Sequence, residues 1–292
     1  MNNLLYRIYL RLRYGSKRWH DRRFPPNFKL EKLDEDFAIC RWSGMKLKVR
    51  LAGSLNSTQK GHGILLLSGP SVKDISDPGK LSSFSVMCVN GSPILLNGGR
   101  FDHYHVVDKS YPFTYKDQFS NYVVSSQNFF VGLRLLKLLM EKADPSFLKK
   151  INICLYENYR KPFRKNKIDV TKEKDCSVLN NSICFSKNLT KGLFTSPTVA
   201  YSAIQILYNL GYDYVNIFGL DLTNSGRFYD SDAGQSLDKH NKRIFQEMSL
   251  CSKTFSENHK HIINRSLISA LPAEFMARGD IDSFFKKSYE RK

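Results

Sequence analysis

Short apolar runs, separated by glycine and polar residues, recur along the chain and set the pattern of its predicted strands. The run 64–67 is Ile-Leu-Leu-Leu, and a wholly apolar run of this length is typical of a strand buried on both faces of a parallel sheet. Alternation of polar and apolar residues predicts a strand at 46–51, and short runs rich in apolar residues predict further strands at 85–89, 103–107, 122–124, 151–156, 214–218 and 261–264.

Helical periodicity fills several of the intervals between these strands. Apolar side chains at helical spacing predict a helix over 128–142 and another over 237–255. A third predicted helix begins with Ser196 as its N-cap and Pro197 in its first turn, and it ends at Gly211. Strands that alternate with helices favour an α/β fold, with a Rossmann-like, mostly parallel open sheet and helices on both faces.

The charge of the chain points to an anionic partner. Its 292 residues include 45 Lys and Arg against 27 Asp and Glu, a formal net charge of +18, which suits a nucleic acid, a phospholipid, a phosphorylated small molecule or a glycan. No apolar stretch approaches the roughly 18 residues that span a bilayer, and arginines interrupt the region where a signal peptide would be apolar. The six cysteines form no CxxC pair, so we expect buried reduced thiols and no zinc site.

The N-terminal segment differs from the rest of the chain. Residues 1–29 hold eight basic side chains and one acid, and Leu4, Leu5, Ile8 and Leu12 recur at helical spacing. Arginines on another face and interleaved aromatic residues are typical of a helix that lies in a membrane interface. The alternatives are a helix packed on its own domain and a nucleic-acid-binding arm.

The organisation predicted from these patterns has two parts. Residues 1–30 form a basic amphipathic segment that contacts a membrane or glycolipid, and residues 31–285 form the Rossmann-like domain. Within that domain, the polar and basic stretch 157–192 is interpreted as an inserted loop or mobile lid, with a solvated surface excursion as the alternative.

Polar and glycine residues follow four of the predicted strands. Ligands of open α/β sheets bind beyond the carboxyl ends of the strands, so these clusters together predict a nucleotide site. After the first of these strands, a glycine turn and a helix capped by Ser71 would present free backbone N–H groups to an anion. The four clusters are Ser68-Gly69-Pro70-Ser71, Asn90-Gly91-Ser92, Asp108 and Gly219-Leu220-Asp221.

These segments, together with Thr198 to Ile206 and with Gly226-Arg227-Phe228-Tyr229-Asp230, resemble a known family. The chain is similar to the Kdo (3-deoxy-D-manno-octulosonate) transferases of the lipopolysaccharide core over roughly 62–285, with a divergent middle. It is more distantly similar to bacterial sialyltransferases that use CMP-sialic acid. Their Asn-Gly-Pro-Ser turn and the Asn after their third strand correspond to Ser68-Gly69-Pro70-Ser71 and Asp108, so two asparagines are replaced.

The resemblance implies inverting transfer of Kdo from CMP-Kdo to a Kdo-lipid A or core acceptor. The nucleotide positions that it implies are Ser68, Gly69, Pro70, Ser71, Asn90, Gly91, Thr195, Ser196, Gly219, Leu220 and Asp221. Gly69 would allow close backbone approach, and Ser71 would bind phosphate or ribose oxygens. Asn90 would offer its amide to the donor, and Ser196 would bind the donor carboxylate.

The catalytic positions implied by the resemblance are Arg227 and Tyr229, beside the departing phosphate, and a general base. His240 and Asp108 are both candidates for the base, and an unrecognised residue is the third possibility. His103 and His105 are expected to be structural or to lie at the edge of the substrate.

The remaining expectations concern metal, location and competing functions. No metal or other cofactor is expected, because the pairs Asp230/Asp232 and Asp280/Asp282 are interpreted as capping or surface pairs. The resemblance implies a cytoplasmic enzyme, peripheral on the inner membrane. A CMP-sialic-acid-dependent sialyltransferase remains an alternative. A basic nucleic-acid-binding protein remains another, although the sequence carries no RNP, helix-turn-helix or zinc motif.

Overall fold

The computed structural model describes residues 3–223, 226–229 and 240–289. Its strands are β1 (Lys29–Lys32), β2 (Phe37–Trp42), β3 (Met45–Leu51), β4 (His62–Leu66), β5 (Ser85–Val89), β6 (Phe101–Val106), β7 (Ser126–Gly132), β8 (Ile153–Tyr156), β9 (Cys176–Asn180), β10 (Ile183–Ser186), β11 (Tyr214–Phe218) and β12 (His261–Asn264). Its α-helices are α1 (Asn3–Tyr14), α2 (Tyr111–Thr114), α3 (Lys116–Ser125), α4 (Leu133–Lys142), α5 (Pro145–Lys150), α6 (Val199–Leu210), α7 (Asn241–Glu257) and α8 (Ile281–Tyr289).

Ten of these strands form one sheet in the order β1-β2-β3-β8-β7-β6-β5-β4-β11-β12. Within this sheet, all neighbours from β3 to β12 in the order just given are parallel, whereas β1, β2 and β3 form an antiparallel meander at one edge. The chain moves from β4 towards β8 on one side and then returns to place β11 on the other side of β4. The strand order therefore reverses between β4 and β11, which is where open α/β sheets bind ligands.

Helices cover both faces of the sheet, and alternate side chains of its strands enter the two cores that this creates. Ile64 and Leu66 of β4 belong to the core beneath α3, α4 and α8. Leu65, from the same strand, belongs to the core beneath α6 and α7. Every one of these three side chains is fully buried, as the apolar run predicted. The predicted mostly parallel α/β fold is confirmed.

The prediction for residues 122–142 is wrong in its boundaries. Tyr122 to Val124 lie in helix α3, and the strand is Ser126–Gly132. The helix predicted from residue 128 begins at Leu133. Strand β7 lies between β6 and β8 and is hydrogen-bonded to both, so its apolar residues are buried from two faces at once. The spacing of apolar residues along the sequence does not reveal this burial between two neighbouring strands.

The prediction of a loop or mobile lid over 157–192 is also wrong for part of that stretch. It contains the antiparallel hairpin β9–β10, and all four residues of β10 are buried. Phe185 packs its ring against Tyr208 and Phe255, with ring centroids 5.2 and 6.3 Å away. Strand β10 is thus part of the core beneath α6 and α7, whereas β9 pairs with it from outside that core and is partly exposed.

Two further expectations concern cysteines and membrane spans. All six cysteines are free, and five are buried; burial raises the pKa of Cys40 to about 12, so that thiol stays protonated. Among the described helices, none combines the length and the apolar character needed to cross a bilayer.

Candidate active site

A cavity of about 290 Å³ opens at the carboxyl ends of β4, β5, β6 and β11, directly at the reversal of strand order. The first turn of α6 closes its opposite side. Because the sequence predicts that the nucleotide donor binds at these strand ends, the cavity is called the donor cavity below. It is lined by Leu67, Ser68, Gly69, Val89, Asn90, Val107, Asp108, Ser196, Pro197, Thr198, Val199, Gly219, Leu220, Asp221, Leu222, Thr223, Gly226 and Arg227.

The structure gathers most of the predicted site residues in this one cavity. Those that line it are Ser68, Gly69, Asn90, Asp108, Ser196, Gly219, Leu220, Asp221 and Arg227. Thr195 instead lines two neighbouring cavities. Pro70, Ser71, Gly91, Tyr229 and His240 are not among the described residues that line the donor cavity. Segments up to 159 positions apart in sequence, from Ser68 to Arg227, therefore meet at a single rim.

The turn after β4 differs from the predicted anion site. Residues Pro70–Asp74 form only a 3₁₀ turn, and Ser71 is buried. Its N–H and its hydroxyl both donate to the carboxylate of Asp221, at 2.8 and 2.5 Å. The N–H groups of this turn are therefore used within the protein, and Ser71 joins two loops rather than facing a ligand.

Gly69 is required by this junction between loops. Its N–H donates to the carbonyl of Gly219 at 3.1 Å, and a Cβ added at Gly69 would lie 2.5 Å from that same carbonyl oxygen. The close approach that glycine allows here is thus to the loop after β11, within the protein. The two loops on either side of the strand reversal are locked together.

Asn90 places an unpaired polar atom beside the cavity. Its backbone has φ +45°, and its carbonyl accepts a hydrogen bond from the Tyr104 hydroxyl at 2.7 Å. Its side-chain Oδ1 is buried and has no hydrogen-bond partner within the described structure. A buried polar atom without a partner is costly in a protein, so this amide beside the cavity is suited to a polar group of a ligand.

The segment 226–229 forms the outer wall of the cavity. The N–H of Phe228 donates to the carbonyl of Ser68 at 3.0 Å, which fixes this segment to the end of β4. Tyr229 lies against Gly91, where any Cβ would collide with its ring, and burial raises the pKa of Tyr229. Arg227 lies 5.9 Å from the Tyr229 ring centroid and lines the cavity, so its cationic side chain is available to an anion.

The structure separates the two candidates for the general base. Asp108 lines the donor cavity and is exposed; its Oδ1 accepts from the N–H and hydroxyl of Ser110, both at 2.8 Å. His240 stands at the N-cap of α7. Because only Asp108 lies at the cavity, the geometry favours it over His240.

Ser196 is not the cap of helix α6, contrary to prediction. The cap is Thr198, whose hydroxyl accepts from the Ala200 N–H at 3.3 Å. The Ser196 hydroxyl donates to the carboxylate of Glu247, a buried residue that also pairs with Arg243 at 2.9 Å. Ser196 therefore anchors the loop before α6 to α7, and its hydroxyl is already engaged.

Other residues of the cavity were missed by sequence reasoning. Thr198 and Val199 bring the N-terminus of α6 to the cavity, where the helix dipole favours an anion. Thr198 is itself a residue that commonly caps helices, but Ser196 and Pro197 directly before it resemble a helix start more closely.

His103 and His105 are structural, as expected. Nδ1 of His105 lies 3.1 Å from the Phe130 carbonyl and therefore donates to it, which leaves Nε2 to accept from the Ser202 hydroxyl at 2.8 Å. His103 contacts the Tyr212 hydroxyl at 3.1 Å. Burial lowers the pKa of each histidine to about 4, and His105 ties the end of β6 to β7 and α6.

These histidines predict a pH-dependent stability. Between pH 6.5 and about 4 the histidines are protonated in the unfolded chain but stay neutral in the folded protein. The free energy of unfolding is therefore highest above pH 6.5 and falls as the pH drops through this window. We expect His105→Gln to remove about 3 kcal/mol of this pH-dependent loss. Chemical denaturation at pH 7.0, 5.5 and 4.5 measures it; equal pH slopes in wild type and variant would contradict it.

The acidic pairs give no evidence for a metal. Within the described residues, no three His, Cys, Asp or Glu side chains are grouped to hold an ion. Oδ1 of Asp280 accepts the Ser283 N–H at 2.6 Å, which confirms the capping interpretation for that residue. Asp230 and Asp232 lie outside the described residues.

The fold and the site define an α/β protein with a cavity at the strand reversal of a parallel sheet, between two locked loops and a helix N-terminus. Comparison with known proteins narrows this class. The family model described as 3-deoxy-D-manno-octulosonic acid transferase WaaZ matches residues 49–262. The chain therefore belongs to this family, and it is a glycosyltransferase of lipopolysaccharide-core synthesis.

Two individual proteins are similar to this chain. A "Probable 3-deoxy-manno-octulosonic acid transferase" of Salmonella typhimurium strain LT2 is 26% identical over 198 residues, covering 63% of this chain and 73% of the relative. Among solved structures, the MAf glycosyltransferase from Magnetospirillum magneticum AMB-1 is similar over 80% of this chain, with a TM-score of 0.43 and 12% identity. This chain spans only 37% of that larger protein.

Proposed function

We propose that the protein transfers Kdo from CMP-Kdo to a Kdo-lipid A or core acceptor, with inversion at the anomeric carbon. One observation carries the proposal: in a chain of the Kdo transferase family, Asn90, Asp108 and Arg227 converge on one cavity at the strand reversal. Family membership also favours this function over nucleic-acid binding.

The residues around the cavity suit each part of the reaction. An acceptor hydroxyl oxygen attacks the anomeric carbon, while the bond from that carbon to the phosphate oxygen breaks and CMP leaves with the electron pair. Arg227 and the N-terminus of α6 would offset the charge that develops on the phosphate. These groups supply positive charge from the chain itself, so the proposed reaction needs no metal.

The proton of the acceptor hydroxyl needs a base, and we assign it to Asp108. Its Oδ1 is held by Ser110, which orients the carboxylate, while Oδ2 remains to accept the proton. His240 is retained only as the less favoured candidate, because it stands at the start of α7 and is not among the described lining residues.

The N-terminal helix is proposed to hold the enzyme on an anionic membrane surface, on the cytoplasmic side. In α1, Leu5, Ile8 and Leu12 are 56%, 47% and 82% exposed, so this apolar stripe is not packed on the domain. Arg7 and Arg11 lie beside the stripe and are also exposed. An exposed apolar stripe flanked by cations matches an interface of lipid tails and anionic headgroups.

We expect the double substitution of Ile8 and Leu12 by serine to weaken binding to anionic liposomes at least tenfold, since each apolar side chain transferred from water contributes about 1.5–3 kcal/mol. Co-sedimentation measures the binding. Val124→Ser on α3 is the matched control, because Val124 is a helical side chain that is 67% exposed outside this surface. Equal binding by wild type and double variant would refute the membrane role.

The transfer itself is tested by incubating the protein with a Kdo-lipid A acceptor and either CMP-Kdo or CMP-sialic acid. We expect mass spectrometry to show a Kdo-sized increment with CMP-Kdo alone. An increment with CMP-sialic acid alone would identify a sialyltransferase. If neither donor gives an increment and the protein shows salt-sensitive binding to RNA or duplex DNA, a nucleic-acid-binding function would be favoured instead.

A further inference from the structure

A second cavity, of about 380 Å³, lies beside the donor cavity along the same edge of the sheet. Val107 and Ser196 line both cavities, so a molecule in the second one would extend towards the donor. Its walls come from the ends of β6, β7 and β8 and from residues His20, Arg23 and Phe24 of the N-terminal segment. We call it the basic cavity.

Four cationic side chains surround this space: Arg23, Lys109, Arg134 and Lys161. They come from four separate parts of the chain, and all four are exposed, so a ligand can reach them. Within the described residues, none of the four takes part in an ion pair. Unpaired like charges that converge on a cavity favour an anionic occupant.

The four cations lie close enough together for their charges to lower the pKa of both lysines. Partial burial lowers the pKa of Lys109, and the charges of Arg134 and Arg23 lower it further. Partial burial likewise lowers the pKa of Lys161, with Arg23 the largest charge contribution. This repulsion is relieved when an anion binds among them.

The carboxylates near the cavity offset these cations only in part. Glu157 lines the cavity, but its Oε2 accepts the Phe163 N–H at 2.5 Å and burial raises its pKa. Asp108 adjoins Lys109 and partly offsets the lowering of its pKa. Asp21 is fully buried and is paired with Arg18 at 3.1 Å.

The wall also offers a hydrogen-bond acceptor for a sugar hydroxyl. Nε2 of His20 lies 2.7 Å from the Pro162 carbonyl and therefore donates its proton to it. In the neutral ring Nδ1 is then an acceptor, and it is buried with no hydrogen-bond partner in the described structure. Only 9% of His20 is exposed, and a ligand hydroxyl that reached this nitrogen would supply the partner that a buried polar atom ordinarily has.

We propose that the basic cavity is the acceptor subsite and that it binds a saccharide carrying at least two carboxylate or phosphate groups, with the reacting hydroxyl directed past Val107 to Asp108. This inference rests on the proposed function, since it names the acceptor side of the same reaction. Arg23 and His20 belong to the segment that follows α1. The membrane-facing helix and the acceptor subsite are therefore continuous, and an amphiphilic anionic acceptor would reach the subsite from the bilayer.

The test replaces the charges without touching the donor cavity. We expect the double variant R134Q/K161Q to raise the KM for a Kdo-lipid A acceptor at least tenfold, while the KM for CMP-Kdo stays within twofold of wild type. The variant R134K/K161Q keeps a positive charge at position 134, so it should recover most of the affinity for the acceptor. Lys253→Gln is the matched control, because Lys253 is a 70% exposed cation on α7 outside this cavity.

A binding experiment separates this inference from the proposed function. Calorimetry with the deacylated acceptor carbohydrate, with and without its phosphates, needs no donor and shows which anions are bound. If wild type transfers Kdo but R134Q/K161Q has the same KM for the acceptor as wild type, the basic cavity is not the acceptor subsite, while the proposed function is supported. If wild type transfers nothing yet binds the saccharide tenfold more tightly than R134Q/K161Q, the subsite stands and the function is wrong. Loss of affinity on phosphate removal assigns the charges to phosphate, and unchanged affinity assigns them to carboxylates.

Discussion

Replacement of Asp221 by alanine is expected to lower the free energy of unfolding by about 3 kcal/mol and to abolish CMP binding. The Asp221 carboxylate is 2% exposed and accepts both the N–H and the hydroxyl of Ser71. Without it, two buried donors lose their acceptor and the loops after β4 and β11 separate. Urea denaturation measures the first effect, and calorimetric titration with CMP measures the second.

Asp213 provides the matched control for this experiment. It stands at the opposite end of β11, where its Oδ2 accepts the Gly61 N–H at 2.9 Å, and it lies outside the donor cavity. Asp213→Ala should cost about 1 kcal/mol and leave CMP binding intact. Ser71→Ala keeps the backbone N–H that donates to Asp221 and loses only the hydroxyl bond, so it should cost less than Asp221→Ala, about 1 kcal/mol. Equal denaturation midpoints for wild type and Asp221→Ala would mean that this pair does not lock the loops.

Removal of the Asn90 side chain is expected to weaken CMP binding roughly thirty- to a hundredfold, since the hydrogen bonds of a buried amide would be lost. Asn90 has φ +45°, which glycine adopts without strain. Asn90→Gly therefore removes the amide while it preserves the backbone, and Asn90→Ala adds the backbone cost. Titration calorimetry with CMP reports the change.

Asn97 is the control for Asn90, because it has nearly the same backbone conformation, with φ +47°, and lies outside the donor cavity. Asn97→Gly should bind CMP as wild type does. If Asn90→Gly also binds CMP as wild type does while it remains folded, the amide has no role in holding the nucleotide.

Strands buried on both faces were the easiest elements to predict from sequence. The runs 64–67, 85–89 and 214–218 are short, apolar and bounded by glycine or polar residues, and each matches a central strand. The sequence of such a strand is mostly apolar because neither of its faces meets water, so its burial can be recognised from composition alone.

The boundary between strand β7 and helix α4, near residue 132, could not be predicted from composition in this way. Phe129, Leu133 and Leu136 have helical spacing, yet Phe129 lies in β7 and the two leucines lie in α4. What decides the boundary is pairing of β7 with β6 on one side and with β8 on the other. Those partners are set by tertiary structure, which overrides local periodicity.

The candidate site was predictable in its location but not in its internal bonding. Strand ends and turn residues indicated which segments meet, because carboxyl ends of parallel strands share one edge. The pairing of Ser71 with Asp221 joins residues 150 positions apart, and that of Ser196 with Glu247 joins residues 51 apart. No local pattern distinguishes a hydroxyl that faces a ligand from one that holds a distant carboxylate.

The most direct test of the account is a crystal structure of the protein with CMP bound. We expect the nucleotide to lie between the loops after β4 and β11, with its phosphate near Arg227 and the first turn of α6, and with the Asn90 amide in contact with it. Cytidine density at any other place on the molecule, or no density at saturating CMP, would contradict the central claim that this rim holds the donor.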